Sequence, residues 1–381
     1  MGSERKKDSL ALFNCGPGER SAEHAGLSLF TATEDYRRSA VGGPADGFGL
    51  YLGSMKAIVI TRPGGPEVLE IQDRPKPEPG VGQIRVHVRA SALNRADLMQ
   101  REGNYPVPPG VSADIAGMEY AGEVESLGPA ATMWKAGDRV MGIIGGAGHA
   151  EFLCVHEREA IPVPSGLPWE EAAAIPEAFL TAYDALFRQL DLRMGETVLI
   201  HAVASGVGTA GLQLARAGGA RVVGTSRSAA KLERAKKLGL DVLVDASSGS
   251  WVEQIAGTIG NEKIHVILDL VGGAYLDGNL RVLAQRGRMI VVGLTSGSRA
   301  ELDMGTILRK RLKMIGTTLR ARSLEEKIAL ARDFSERVIP LFDAGKLRPV
   351  VDRVLPFGEI RSAHELMHSN ETFGKIVLRW E

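Results

Sequence analysis

The chain has 381 residues, in which 46 Lys and Arg balance 46 Asp and Glu, and it contains only two cysteines. A formal charge of zero leaves no electrostatic footprint for nucleic acid or an anionic membrane surface, and two cysteines cannot form a disulfide framework or a four-thiolate zinc site. No apolar run approaches the roughly 18 residues of a transmembrane helix. The composition therefore indicates a soluble, cytoplasmic, glycine-rich protein.

Residues 1–54 differ in pattern from the rest of the chain. They have no sustained helical or strand period, lack the apolar stretch of a secretory signal, and contain too many acids for an organellar transit peptide. We expect a disordered leader or an extension outside the folded domains. A regulatory arm is the alternative, and no motif supports it. The alternating pattern of MKAIVI, which begins at Met55, predicts the start of the first domain.

Residues 55–178 carry short apolar runs separated by proline and glycine. KAIVI, QIRVHVRASAL, AGEVESLG and AEFLCV have strand character, and Pro-Gly dipeptides at Pro63, Pro79 and Pro109 mark turns between such runs. Short strands at this spacing predict a small β-barrel or sandwich.

The pattern changes between residues 179 and 318. Strand-like runs such as ETVLIHA and RVVGTS alternate with helical runs such as GVGTAGLQLARAGG and AAKLERAKKLG. This alternation predicts an α/β domain with a doubly wound parallel sheet of the Rossmann type. In residues 319–381 we predict one long helix over 323–346, and then β-like segments that return to the first module.

The turn after the first strand of the α/β unit is rich in glycine. Gly206-x-Gly208-x-x-Gly211 matches the pattern GxGxxG, follows an apolar strand and opens a helix. Backbone N–H groups in such a turn approach a pyrophosphate at the positive end of the helix, which predicts dinucleotide binding. The alternative is tight packing of helix on strand with no ligand.

The end of the second strand bears on the choice of cofactor. An NAD site places Asp or Glu there to bind the ribose 2′-hydroxyl, whereas this chain has Thr225, Ser226 and Arg227, with Lys231 one turn later. Two hydroxyls and two cations suit a 2′-phosphate, so we expect NADPH. The alternative is that both cations are solvated charges on a helix face.

Four segments together resemble a known family. They are SALNRADLMQREGNYPVPPG, GMEYAGEVESLG, AAAIPEAFLTAYDAL and LIHAVASGVGTAGLQLA, and they resemble the zinc-free quinone oxidoreductase branch of the medium-chain dehydrogenase/reductase superfamily. The resemblance runs from Met55 to the C-terminus. It implies a GroES-like β-barrel catalytic domain formed by residues 55–178 and 319–381, and a Rossmann NADPH-binding domain over residues 179–318. It also implies a homodimer whose cofactor-domain sheets join edge to edge at KMIGTTLR.

The resemblance predicts that no metal is bound. Zinc alcohol dehydrogenases of the superfamily have a Cys ligand where this chain has Asn94, and a His ligand where it has Met118, and neither replacement suits zinc. The chain also departs from the family's glycine fingerprint, whose positions fall at Val203, Ser205 and Gly208. Ser205 can donate to phosphate, while Val203 would narrow the approach of the pyrophosphate.

The resemblance also implies the site residues. Tyr105 and Asn94 would serve catalysis, and Thr181 would lie near the nicotinamide amide; the alternatives are that Tyr105 only closes a loop and that Thr181 only caps a helix. The residues expected to bind the cofactor are Thr181, His201, Ser205, Gly206, Val207, Gly208, Thr225, Ser226, Arg227, Lys231, Val271, Gly272, Val292, Gly293, Leu294 and Lys375. The His201 ring itself is expected to satisfy a local hydrogen bond.

The reaction implied is hydride transfer from NADPH to a quinone or an enone, because an acceptor that delocalises charge does not need a Lewis acid. Two alternatives stay open at this point. One is an enoyl-thioester or alkenal reductase of the same superfamily, and the other is a non-catalytic NADPH-binding protein.

Overall fold

The computed structural model describes residues 53–380, so the expectation for residues 1–52 lies outside the described part of the chain. The first strand begins at Ser54. The strands are β1 (Ser54–Ile60), β2 (Leu69–Pro75), β3 (Gln83–Ala92), β4 (Glu119–Leu127), β5 (Arg139–Ile143), β6 (Phe152–His156), β7 (Ile161–Pro162), β8 (Thr197–Ile200), β9 (Arg221–Ser226), β10 (Val242–Asp245), β11 (Ile264–Asp269), β12 (Leu283–Val291), β13 (Lys313–Gly316), β14 (Val351–Pro356) and β15 (Lys375–Arg379).

Helices connect and cover these strands. They are α1 (Arg95–Arg101), α2 (Trp169–Ala172), α3 (Pro176–Tyr183), α4 (Gly206–Ala217), α5 (Ala229–Lys237), α6 (Trp251–Ile259), α7 (Leu276–Val282), α8 (Met304–Lys310), α9 (Leu324–Arg337), α10 (Ile339–Asp343) and α11 (Ile360–Ser369). A π-helical segment, Asp184–Gln189, continues α3, and 3₁₀ turns occur at Pro66–Val68, Gly273–Tyr275 and Phe357–Glu359. Within the described residues, no helix is both long enough and apolar enough to cross a bilayer.

Six parallel strands form the sheet of the α/β domain, in the order β10-β9-β8-β11-β12-β13. Counted from β8, this order is 3-2-1-4-5-6, which confirms the predicted Rossmann-type doubly wound sheet. All four residues of β8 are buried, as expected for a central parallel strand covered on both faces. The strands β9 and β10 lie on one side of β8, whereas β11, β12 and β13 lie on the other. The order of the strands reverses at β8, and such a switch point forms a crevice between the carboxyl ends of β8 and β11.

The second sheet has the order β14-β15-β3-β4-β5-β7, and β6 pairs with β3 outside this path. Along β3 buried residues alternate with partly exposed ones, which is the period-2 pattern of a strand with one face in a core. Near the C-terminal end of the chain, β15 pairs antiparallel with β3, where Val377 faces Ala92. The sheet of this GroES-like domain therefore combines strands from both sides of the inserted cofactor domain.

The prediction of one helix over 323–346 is wrong. Helix α9 begins with a capping box, in which Ser323 and Glu326 satisfy each other's backbone N–H groups, and it ends at Arg337 before the separate helix α10. Pro340 explains the break, because proline has no N–H to donate to the preceding turn and its ring crowds the carbonyl four residues earlier.

Candidate active site

The glycine turn forms an anion-binding helix terminus. Ser205 caps α4, since its Oγ accepts a hydrogen bond of 3.1 Å from the Gly208 N–H. The N–H groups of Gly206 and Val207 lie in the first turn, where no intrahelical acceptor exists. The Ser205 hydroxyl hydrogen can still be donated. These groups fit a phosphate at the positive end of the helix dipole.

Gly208 allows this turn to close. A Cβ on Gly208 would lie 2.4 Å from the Ala202 carbonyl oxygen and 2.8 Å from two Val203 backbone atoms. The Val203 side chain is fully buried and packs over Gly224, where an added Cβ would lie 2.9 Å from Val203 Cγ1. Val203 therefore projects into the core of the cofactor domain, and the space for it comes from the missing side chain of Gly224.

His201 and Thr225 belong to a buried network beneath the turn. Thr225 Oγ1 lies 2.9 Å from His201 Nδ1, His201 Nε2 lies 2.7 Å from Asn279 Oδ1, and Asn279 Nδ2 donates to Asp269 Oδ2 over 3.0 Å. In a neutral imidazole whose Nε2–H donates to Asn279 Oδ1, Nδ1 accepts from the Thr225 hydroxyl. Burial lowers the pKa of His201, which favours the same state. The Thr225 hydroxyl is thus used internally and is not free for a 2′-phosphate.

The network extends to the loops that follow β11 and β12. Asp269 Oδ1 accepts from the N–H groups of Val271 (2.8 Å) and Gly272 (2.9 Å). The Asp269 carbonyl accepts from the N–H groups of Val292 (2.8 Å) and Gly293 (3.3 Å). Both loops are therefore fixed at the carboxyl edge of the sheet, where Leu294 is 54% exposed.

Arg227 and Lys231, the two cations predicted to bind phosphate, differ in their hydrogen-bond partners within the described residues. Arg227 is exposed, and no hydrogen bond or ion pair to its guanidinium occurs within residues 53–380. Lys231 donates to the Asn370 carbonyl oxygen at the end of α11. Ser226 Oγ accepts from the Ser228 N–H over 3.2 Å and retains its own hydrogen. Arg227 and Ser226 are therefore the side chains available for an incoming anion.

Lys375 lies between the glycine turn and the catalytic domain. Its Nζ donates to Leu93 O (2.7 Å), Asn94 Oδ1 (2.6 Å) and Glu119 Oε1 (2.6 Å), and both Lys375 and Glu119 are buried. Asn94 Nδ2 also donates to Glu119 Oε1, over 2.7 Å. The Lys375 stem passes Gly206, where an added Cβ would lie 2.6 Å from Lys375 Cδ. The predicted catalytic Asn94 is thus held by two charged side chains, which favours a positioning role.

This cluster does not fit zinc. The side chains at the family's ligand positions are an amide, Asn94, and a thioether, Met118, and the neighbouring carboxylate of Glu119 already binds the ammonium of Lys375. Across the described residues, no group of three His, Cys, Asp or Glu side chains is arranged to hold a metal ion.

Two further carboxyl groups lie close to this cluster, and sequence reasoning missed both. Asp97 is fully buried and accepts from the N–H groups of Asn94 (2.7 Å) and Gly117 (3.0 Å), and burial raises its pKa to about 6. Glu177 lies in the first turn of helix α3, and its N–H donates to Glu119 Oε2 over 2.8 Å. Desolvation, and then the negative charge of Glu119, raise the pKa of Glu177 to about 8.

The protonation of Glu177 leads to a prediction about stability. Because its folded pKa of about 8 lies above the ordinary glutamate pKa of 4.5, folding takes up a proton between these two pH values, and stability falls as pH rises through that window. Glu177→Gln removes the titration. Its advantage in Tm over the wild type should grow from pH 5 to pH 8 by about 3–6 °C and then level off. Parallel Tm curves for the two proteins would contradict this assignment.

Tyr105 is half-buried in the loop after α1, and its hydroxyl has no hydrogen-bond partner among residues 53–380. Burial raises the pKa of the phenol, and the charge of Glu177 acts in the same direction. The Arg320 guanidinium lies over the Tyr105 ring, 5.0 Å from its centroid. Thr181 lies on α3, one turn after Glu177, and is 5% exposed. The Tyr105 ring, whose hydroxyl has no partner in the described part of the chain, therefore packs against the guanidinium of the buried Arg320.

The comparisons with known proteins agree with this architecture. The family described as "Zinc-binding dehydrogenase" matches residues 206–336, and the family described as "Alcohol dehydrogenase GroES-like domain" matches residues 80–165. The chain is 31% identical over 332 residues to a quinone oxidoreductase of Rattus norvegicus, covering 85% of this chain and 97% of that protein. The chain belongs to the medium-chain dehydrogenase/reductase superfamily, in its quinone oxidoreductase branch.

Solved structures of the superfamily share the fold of this oxidoreductase. An NAD-dependent alcohol dehydrogenase superposes with a TM-score of 0.76 at 32% identity, covering 86% of this chain and all of that one. The CurK enoyl reductase superposes with a TM-score of 0.75 at 26% identity, covering 86% and 99%. Members of the superfamily bind a nicotinamide cofactor, and the capped glycine turn of this chain fits its pyrophosphate.

Proposed function

We propose that this chain is an NADPH-dependent quinone oxidoreductase that transfers hydride without zinc. The observation that carries the proposal is the Lys375 ammonium, which donates to Asn94 and Glu119 beside the position where a metal ligand would be required. A site without a Lewis acid favours an acceptor that delocalises the charge it receives, and a quinone does so. Bound NADPH would supply the hydride.

The residues of the chain would orient the reactants and supply a proton. The turn at Ser205, Gly206, Val207 and Gly208 would hold the pyrophosphate, and the loops after β11 and β12 would line the nicotinamide half of the crevice. The Tyr105 hydroxyl would donate to the acceptor oxygen as negative charge develops there, and its ring would pack against a flat acceptor.

A turnover assay tests this proposal. Mixing the chain with NADPH and 1,2-naphthoquinone should consume the reduced-nicotinamide absorbance, and no turnover with any quinone or enone would reject it. Tyr105→Phe keeps the ring and removes the hydroxyl, so kcat should fall about 10- to 100-fold if the hydroxyl donates in the transition state. An unchanged kcat would show that Tyr105 contributes only through the packing of its ring and not through its hydroxyl.

The preference for NADPH rests on the free guanidinium of Arg227 and the absence of an acid at the end of β9. Changing both Arg227 and Lys231 to alanine should weaken NADPH binding about 10- to 100-fold and leave NADH binding nearly unchanged, because only NADPH carries a 2′-phosphate. Fluorescence titration with each cofactor measures this difference. Equal losses for both cofactors would contradict a phosphate-binding role.

A second candidate is reduction of an enoyl thioester, which the likeness to the CurK enoyl reductase and the unbonded Tyr105 hydroxyl both favour. Steady-state kinetics that prefer a 2-enoyl thioester to quinones would select it. Tight NADPH binding with no turnover of either acceptor would instead indicate a non-catalytic binding protein.

We also propose a homodimer joined through β13. This strand ends the six-stranded sheet, so one of its sides lacks a neighbouring strand within the described residues. Helix α8, which precedes it, exposes Met304 (65%) and Leu308 (80%), and pairing would cover both the edge and these side chains. Light scattering should give twice the chain mass; a monomer would contradict the proposal.

A further inference from the structure

Arg320 lies in the turn that follows β13, and its side chain reaches into the catalytic domain. It is only 7% exposed. Its Nε donates to the Gly145 carbonyl oxygen over 2.7 Å, and its Nη2 donates to Gln100 Oε1 over 2.7 Å. These two bonds fix the plane of the guanidinium beside Tyr105.

The third nitrogen of this group is unsatisfied. Arg320 Nη1 is buried and has no hydrogen-bond partner among the described residues. A buried cationic N–H without an acceptor costs stability, so such a group in a native protein requires an explanation. Since the guanidinium lies over the Tyr105 ring, 5.0 Å from its centroid, a flat ligand held against that ring would supply the missing acceptor.

The other cation of the site is already used. Lys375 gives all three of its ammonium hydrogens to Leu93, Asn94 and Glu119, and the Glu119 carboxylate neutralises its charge. The carboxyl groups whose charges act on Arg320 are those of Asp97, on α1, and Glu177, on α3. Arg320 thus keeps a directed donor that Lys375 lacks.

We propose that Arg320 is a catalytic residue whose free Nη1 stabilises the negative charge that develops on the acceptor oxygen beside Tyr105. This inference rests on the proposed function. Hydride supplied by bound NADPH would form a C–H bond at a carbon conjugated with the acceptor C=O, so that the C=C electron pair shifts toward the carbonyl carbon and the C=O π pair moves onto the oxygen. That oxygen takes the proton of the Tyr105 hydroxyl, and water returns a proton to Tyr105. Arg320 is unchanged at the end and provides a charge-assisted hydrogen bond throughout.

The test compares two variants that remove the positive charge, Arg320→Ala and Arg320→Gln. Glutamine fills more of the volume that the arginine side chain occupies. Both should lower kcat about 100-fold while NADPH affinity, read by fluorescence, changes less than about twofold. Guanidinium chloride at low concentration should restore at least about tenfold of the Arg320→Ala activity, whereas urea, its neutral isostere, should not. A wild-type kcat in Arg320→Gln, or equal rescue by urea, would overturn the proposal.

A second readout does not depend on turnover. The Arg320 charge lowers the pKa of the Tyr105 phenol, so ultraviolet titration should place the ionisation of Tyr105 at higher pH in Arg320→Gln than in wild type. Subtracting the same titration of Tyr105→Phe isolates this residue. If Tyr105 ionises at the same pH in Arg320→Gln and in wild type, the electrostatic contact between Arg320 and Tyr105 is refuted. Failure of the proposed function appears differently, as a wild-type chain that reduces no quinone, so the two failures can be distinguished.

Discussion

Gly208→Ala should weaken binding of the nicotinamide cofactor by about tenfold or more and destabilise the cofactor domain. The added Cβ would meet the Ala202 carbonyl oxygen at 2.4 Å and the Val203 backbone at 2.8 Å, and neither can rotate away as a side chain would. Forcing an extra methyl into a packed site costs about 1–3 kcal/mol, and 1.4 kcal/mol is a tenfold change in Kd. The turn must shift, which displaces the Ser205 cap and the free amides of the first helical turn, the groups proposed to hold the pyrophosphate.

Gly257→Ala is the matched control for this variant. Gly257 lies inside helix α6, and an added Cβ there would have no atom within 4 Å. Alanine is the better helix former by about 1 kcal/mol, so this variant should melt at the same temperature as the wild type or above it. Isothermal titration with NADPH and thermal unfolding of both variants check the prediction. Equal cofactor affinity in Gly208→Ala and wild type would contradict the tight turn.

Lys375→Met should be the most destabilising exchange in the buried cluster of Lys375, Asn94 and Glu119. It removes the only ion-pair partner of Glu119 within residues 53–380 and leaves a fully buried carboxylate, because methionine keeps the stem but not the charge. Breaking a buried ion pair on one side costs about 3–5 kcal/mol. Urea unfolding measures the loss, which should be largest at neutral pH and smaller in acid, where Glu119 takes up a proton.

A double variant separates charge from packing. Combining Lys375→Met with Glu119→Gln removes both charges, and it should recover most of the lost stability, since the remaining groups are neutral and still hydrogen-bond. The surface pair of Arg348 and Glu171 provides the control, because the Arg348 side chain is 77% exposed. Arg348→Met should cost less than about 1 kcal/mol. A double variant as unstable as Lys375→Met alone would show that packing, and not charge, explains the loss.

Local sequence patterns were enough to predict the fold class of both domains. The strand–helix alternation after residue 196 predicted a parallel sheet, and the glycine turn was expected at the carboxyl end of its first strand, where the structure has it. Both predictions use signals carried by residues close together in the chain, namely the strand and helix periods and the spacing of the glycines. The helix over 323–346 was predicted too long because its apolar period continues through Pro340, although proline cannot continue the hydrogen bonding.

The catalytic cluster could not be predicted in the same way. Lys375 and Glu119 lie 256 residues apart, and Arg320 and Gln100 lie 220 apart, so no spacing along the chain shows that they meet. Val203 was expected to narrow the approach of the pyrophosphate, and the structure shows its side chain buried against Gly224, on the neighbouring strand, which leaves room for it. That compensation depends on packing between strands and is invisible in a single motif.

The pairing of β15 with β3 has a consequence for the order in which the protein is made. The six strands of the cofactor sheet are contiguous, so that domain can fold while the ribosome is still adding residues, as domains generally do. The catalytic domain has to wait, because β15 carries Lys375 and is synthesised last among its strands. Until then Glu119 lacks its ammonium partner, and Asn94 lacks one of the groups that hold it. The nascent chain would therefore complete the six-stranded sheet before it can form the cluster of Lys375, Asn94 and Glu119.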